Sequence, residues 1–98
     1  MKIWTYIVDD EALARLRLRH LLQSFSDIVI VGEAANGEEA IRGISENRPD
    51  LVFLDIQMPG QNGLEVAAAL PPPRPSIVFC TARRKFVVLN PTLSGRAS

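Results

Sequence analysis

One cysteine stands among 98 residues, so no disulfide can close within the chain. Cys80 lies in the apolar run SIVFC (76–80) and reads as a buried thiol, which suits a reducing, cytoplasmic setting. No apolar run approaches the roughly 18 residues of a membrane span, so no membrane is expected as a partner. The N-terminus MKIWTYIVDDE carries a single lysine and meets acid by Asp9, unlike a signal peptide. Neither common Gly-rich phosphate loop is present. The single histidine, His20, sits among Arg and Leu and reads as a helix-surface residue with no metal partner. Net charge is also lacking, with 11 Lys and Arg against 11 Asp and Glu. What is there is apolar: hydrophobic residues make up 47% of the chain, which argues for a folded domain and against disorder. The length fits one domain with a modest core.

The zero net charge hides an uneven spread. Residues 1–82 carry seven Lys/Arg and eleven Asp/Glu, whereas Arg83, Arg84, Lys85 and Arg96 face no acid in residues 83–98. The acidic body gives no reason to expect direct nucleic-acid binding. The basic tail differs in composition from everything before it.

Apolar runs at Ile3–Val8, Ile28–Val31, Leu51–Leu54 and Ser76–Cys80 read as four strands. Between the first two, Glu11 to Phe25 reads as a helix whose face is Ala14, Leu18, Leu21, Leu22 and Phe25. Asn36 followed by Glu39 marks the start of a second helix, with Ala40, Ile41 and Ile44 as its face and Pro49 as its stop. Asn62 and Glu65 repeat that spacing ahead of a third helix reaching about Leu70, where Pro71-Pro-Pro-Arg-Pro75 forbids continuation. The order β-α-β-α-β-α-β with apolar strands predicts an α/β fold: an open parallel sheet, doubly wound, with helices on both faces.

In such sheets, sites form beyond the carboxyl ends of the strands. The first strand ends in Asp9-Asp10-Glu11, the third in Asp55 and the fourth in Thr81-Ala82. A lone Asp at a strand end is ordinary turn chemistry. Acids from two strands at one sheet edge would repel each other, and a hard cation such as Mg²⁺ or Mn²⁺ is the physical remedy. A metal flanked by carboxylates suggests phosphoryl chemistry, in which Asp55 attacks phosphorus and becomes an aspartyl phosphate. Thr81 is placed to donate a hydrogen bond to a transferred oxygen.

The motifs IVDDE (7–11), VFLDIQMPGQNGLE (52–65) and IVFCTA (77–82) resemble, in order and spacing, the receiver domain of bacterial two-component response regulators, which has the CheY-like, flavodoxin-like fold. The pattern at 9–18 is most similar to receivers that precede a LytTR-type DNA-binding domain. The resemblance implies that Asp55 is the phosphoacceptor, receiving phosphoryl from a sensor histidine kinase in a phosphorelay. It implies Mg²⁺ held by Asp10, Asp55 and the backbone carbonyl of Gln57, with Asp9 acting through a water. Thr81 would be the switch hydroxyl. Met58-Pro59-Gly60 and Gly63 would shape the loop, and the first helix would form part of the kinase-docking face. Leu13 and Leu16, off the apolar stripe, are expected to be exposed.

The resemblance covers residues 1–82, read as an incomplete receiver domain. Receivers continue with a fourth β-α unit and a fifth strand ending in Lys-Pro. Here RRKFVVLNPTLSGRAS follows, an atypical basic tail (83–98) in place of the usual last β-α part, with Asn90 where that Lys is expected. The change favours an end that is truncated, frame-shifted or foreign to the domain. No output domain follows in this chain, and a DNA-binding one is expected downstream in an intact protein. Phe86–Leu89 has three open dispositions: an antiparallel edge strand on strand four, pairing with another chain, or disorder. A homodimer or larger assembly through the sheet edge and tail is expected. Two readings of function compete: a signalling receiver, which is not an enzyme, and a receiver-like remnant that binds metal or partners without switching. A metal-dependent phosphohydrolase is the weakest, because Gln57 stands where that chemistry uses a second Asp.

Overall fold

A computed structural model describes residues 1–80 and, for residues 86–89, the backbone course. The elements are β1 (Ile3–Val8), α1 (Ala12–Leu22), β2 (Ile28–Ala34), α2 (Gly37–Asn47), β3 (Leu51–Asp55), α3 (Gly63–Ala69), β4 (Ser76–Cys80) and β5 (Phe86–Leu89). They build one sheet in the order β2-β1-β3-β4-β5. The first four strands are parallel, as three helical crossovers require. β5 is antiparallel to β4, with Phe86 opposite Cys80 and Leu89 opposite Ile77. The short link after β4 cannot carry the chain back to the start of the sheet, so the antiparallel disposition is the one adopted.

Local chemistry sets the boundaries. Asn36 caps α2 by accepting from the Glu39 amide at 2.9 Å. At α3, Asn62 and Glu65 form a reciprocal capping box, each accepting the other's amide at 2.9 Å. α2 ends where Arg48 turns left-handed, at φ 47°, just before Pro49. Two boundaries differ from the sequence reading. α1 stops at Leu22 rather than Phe25, because Ser24 Oγ donates to the Leu21 carbonyl at 2.7 Å and the Phe25 amide takes the Leu22 carbonyl, tightening the last turn. β2 runs on to Ala34, since its pairing with β1 continues past a register shift between Thr5 and Tyr6.

The main core lies on one face of the sheet, where Tyr6, Val8, Val52, Leu54, Ile77 and Phe79 pack with residues of α2 and α3. Alternation along β1 sends Thr5 and Ile7 to the other face, where both are buried. Leu22 is the buried residue of α1, while Leu21 and Phe25, expected on its inner face, are each 56% exposed. Leu21 sits about 100° around the helix from Leu22, and Phe25 falls beyond the helix end. Leu13 and Leu16 are exposed, as expected.

Tyr6 pins the open edge of this core. Its ring lies where a Cβ on Gly32 would approach Cε2 to 2.6 Å, and its hydroxyl occupies the space a Cβ on Gly43 would need. That hydroxyl donates to the Glu33 carbonyl at 3.3 Å. At the opposite end of the strands, Asp50 gathers three of them. It accepts from the Trp4 amide at 2.9 Å, donates to the Trp4 carbonyl at 2.7 Å, and receives the Ser76 amide at 3.0 Å. Among the described residues no helix is long and apolar enough to cross a membrane.

Candidate functional site

The parallel strands deliver their carboxyl ends to one edge. Buried Val8 closes β1, and the chain surfaces at half-buried Asp9 and exposed Asp10. Three of the polar atoms of Asp9 are held. Its amide donates to the Ala34 carbonyl at 3.1 Å, its Oδ1 accepts from the Glu11 amide at 2.9 Å, and its carbonyl accepts from Arg15 Nη1 at 2.7 Å. On the neighbouring strand, Asp55 is the last residue of β3 rather than the first of the loop. Its Oδ1 accepts from the Gln57 amide at 3.1 Å. The following turn is tied to β4 and α3, because the Ile56 amide donates to the Cys80 carbonyl and the Gly63 amide to the Ile56 carbonyl, both at 3.0 Å.

One carboxylate oxygen from each of Asp9, Asp10 and Asp55 lies within 4.8 Å of the others. Among the described residues no ion pair involves any of the three. The electrostatic consequence falls on Asp55 and Asp9. Burial pushes the Asp55 carboxyl up to about 6, against the opposing Gln57 amide, and the charges of Asp9 and Asp10 raise it further. Asp9 is raised as well, first by burial, then by Asp10 and Glu11, with the Glu11 amide opposing. Three carboxylates within reach of one another and short of countercharge are the donor set of a hard, oxygen-loving cation.

Of the residues singled out from sequence, the structure thus brings together Asp9, Asp10 and Asp55, and places Gln57 two residues on with its amide on Asp55. Thr81 lies outside the described residues, as do Asn90 and the basic residues 83–85. His20 is an exposed residue of α1. Cys80 is half-buried rather than buried, because it sits on the sheet face away from the main core. It is the register partner of Asp55, and burial followed by the charges of Asp55 and Asp9 pushes its thiol up to about 11. Sequence reasoning missed Arg15 and Glu33, which meet at 2.8 Å beside the acid loop. The available signal was a single acid, Glu33, at the end of the otherwise apolar β2. A groove of about 730 Å³ lies at the far edge of the sheet, lined by Pro71–Pro75, Arg48 and Asp50, and takes no part in this site.

A parallel α/β sheet of order 2-1-3-4 with three acids across the ends of β1 and β3 is the architecture of a signal-receiving domain. The response regulator receiver domain model matches residues 5–97, and the chain belongs to that family. It is 55% identical over 83 residues to the transcriptional regulatory protein BtsR of Salmonella typhi, covering 84% of this chain and 35% of that protein. It is 43% identical over 84 residues to the sensory transduction protein LytT of Bacillus anthracis, covering 84% of this chain and 34% of that one. The chain therefore spans about a third of the length of these curated relatives. They are response regulators of the LytTR type, so the resemblance read from residues 9–18 holds.

Among solved structures, the response regulator domain of Thermotoga maritima CheB superposes with a TM-score of 0.75 at 30% identity, covering 84% of this chain and 62% of that one. The receiver domain of the putative response regulator NarL from Mycobacterium tuberculosis gives 0.74 at 30% identity, covering 98% and 75%. The fold is CheY-like, as expected, with an antiparallel edge strand after β4.

Proposed function

We propose that this domain accepts a phosphoryl group on Asp55 from a phosphohistidine of a sensor kinase, in a cytoplasmic two-component pathway. The reading rests on one observation: Asp55 ends β3 with the carboxylates of Asp9 and Asp10 beside it. An Asp55 oxygen forms the new O–P bond as the N–P bond of the phosphohistidine breaks, and the departing imidazole keeps the electron pair. Asp10, Asp55 and the Gln57 carbonyl would hold Mg²⁺, with Asp9 acting through a water. A bound Mg²⁺ would supply positive charge to the phosphoryl oxygens and offset the mutual repulsion of the three carboxylates. Thr81 would donate to a phosphoryl oxygen and carry the switch. Residues 1–82 would form the receiving unit, to whose sheet edge the tail 83–98 adds β5. Members of this family are generally not enzymes, and Asp55 is here an acceptor rather than a turnover catalyst.

A second reading, a receiver that is modified without switching fully, draws on the direction of β5. Leu89 pairs with Ile77, at the edge of the sheet opposite the acids. A strand in that direction runs away from the acid edge, the reverse of a fifth strand that would end beside Asp55. Self-association belongs to the same picture: β5 is the outermost strand, and its outer row of backbone groups offers pairing to a second copy. Light scattering across a concentration series checks this, with a dimer or larger species expected. Treatment with acetyl phosphate and Mg²⁺, followed by intact mass, separates the functional readings. A single stable adduct supports a receiver, whether or not it switches fully, steady release of phosphate a hydrolase, and no adduct a remnant.

A further inference from the structure

Arg15 stands between the acid loop and β2. Its Nε meets Glu33 Oε1 at 2.8 Å, and its Nη1 donates to the Asp9 carbonyl at 2.7 Å. Its side chain is 17% exposed, well below the 41% of Arg19, which pairs with the other oxygen of the same glutamate. Arg15 also touches the loop, whereas among the described residues the Arg19 side chain hydrogen-bonds Glu33 alone.

The gripped oxygen belongs to the peptide joining Asp9 to Asp10. That unit is planar, so fixing its carbonyl sets the orientation of the plane from which both side chains depart. The Asp9 amide is held by the Ala34 carbonyl at 3.1 Å. Two consecutive β2 residues thus orient the loop, Ala34 directly and Glu33 through the guanidinium. Arginine suits the task because its rigid fork serves two acceptors in fixed directions, which a lysine ammonium on a flexible stem does not. Glu33 has a further effect. It neutralises Arg15 and keeps the fork turned to the carbonyl, so that the guanidinium does not swing onto the Asp9 or Asp10 carboxylates and compete with a cation there.

We propose that Arg15, held by Glu33, is a positioning residue that sets the Asp9–Asp10 carboxylates for a divalent cation. The inference rests on the metal-site reading given above. The test is Mg²⁺ titration by calorimetry of wild type, Arg15→Ala, Arg15→Lys, Glu33→Ala and Arg19→Ala, with amide hydrogen exchange at Glu11 followed in the absence of metal. Arg15→Ala and Glu33→Ala are expected to weaken Mg²⁺ about tenfold, at the lower end for partners that orient metal ligands. Arg15→Lys should recover only part of that loss, and Arg19→Ala should change affinity by less than about twofold. Glu11 exchange should quicken in Arg15→Ala and not in Arg19→Ala. Equal Mg²⁺ affinity in wild type and Arg15→Ala would overturn the inference while leaving the metal site intact. So would equal losses in the two arginine variants, which mark a merely structural ion pair. Absence of Mg²⁺ binding by wild type would instead overturn the metal-site reading itself, and the positioning role with it.

Discussion

The backbone carbonyl of Asp55 fills the space that a Cβ on Gly63 would need. α3 therefore begins directly against the phosphoacceptor candidate, and only glycine allows that approach. Gly63→Ala should destabilise the fold by about 1–3 kcal/mol, the usual cost of forcing extra volume into a packed site. It should also displace Asp55. Urea unfolding measures the first effect and labelling by acetyl phosphate the second, and both should fall together.

Asp55 costs the fold stability at neutral pH. Its folded value of about 6 lies above its ordinary 3.8, so between these values the native state holds the proton more firmly. Stability then falls as pH rises through this window, and the full cost is present above about 6. Asp55→Asn should raise Tm at pH 7 by a few degrees, corresponding to about 1 kcal/mol after allowing for solvent screening. The difference should vanish near pH 4. Adding Mg²⁺ should raise the Tm of wild type more than that of Asp55→Asn.

Tyr6 and Gly43 are expected to be coupled. Gly43→Ala places a methyl against the tyrosine hydroxyl and should cost about 1–3 kcal/mol. Tyr6→Phe removes the nearer of the two atoms it collides with and leaves only the ring Cζ at 2.6 Å, so the double variant should lose less than the sum of the two. A double-mutant cycle in urea reads the interaction, and simple additivity would contradict the packing described.

Cys80 should be a sluggish thiol. With its proton held up to a pKa of about 11 by burial and by Asp55 and Asp9, it is the neutral form that meets reagents near pH 7. Iodoacetamide alkylation should stay slow through pH 9 and rise only above it, and Asp55→Asn should shift that rise to lower pH. A midpoint near the ordinary thiol value in wild type would count against the arrangement.

The strands and the two later helices were legible because their signals are local: apolar runs bounded by Gly, Pro and acid, and the Asn-to-Glu spacing at 36–39 and 62–65. The acid cluster was legible for a topological reason, since parallel strands must deliver Asp9, Asp10 and Asp55 to one edge. What failed was set by tertiary context. Helical periodicity alone put Leu21 and Phe25 on the inner face, whereas Leu21 turns away beside buried Leu22 and the Ser24 hydroxyl ends the helix before Phe25. Cys80 looked buried because its run is apolar, yet it lies on the face away from the main core. Arg15 and Glu33 are 18 residues apart and carry no motif, so their meeting depends on how α1 lies along β2. The direction of β5 was left open by sequence, since the short link excluded a parallel course without choosing among the rest.

The central claim is that Asp55 is the residue that takes phosphoryl. Peptide mapping of wild type and Asp55→Asn after acetyl phosphate and Mg²⁺ tests it most directly. The expected result is one phosphoryl group on the peptide containing Asp55 in wild type, lost on chelation of Mg²⁺ before the reaction, and none in Asp55→Asn. Labelling at Asp9 or Asp10, or undiminished labelling of Asp55→Asn, would contradict the account.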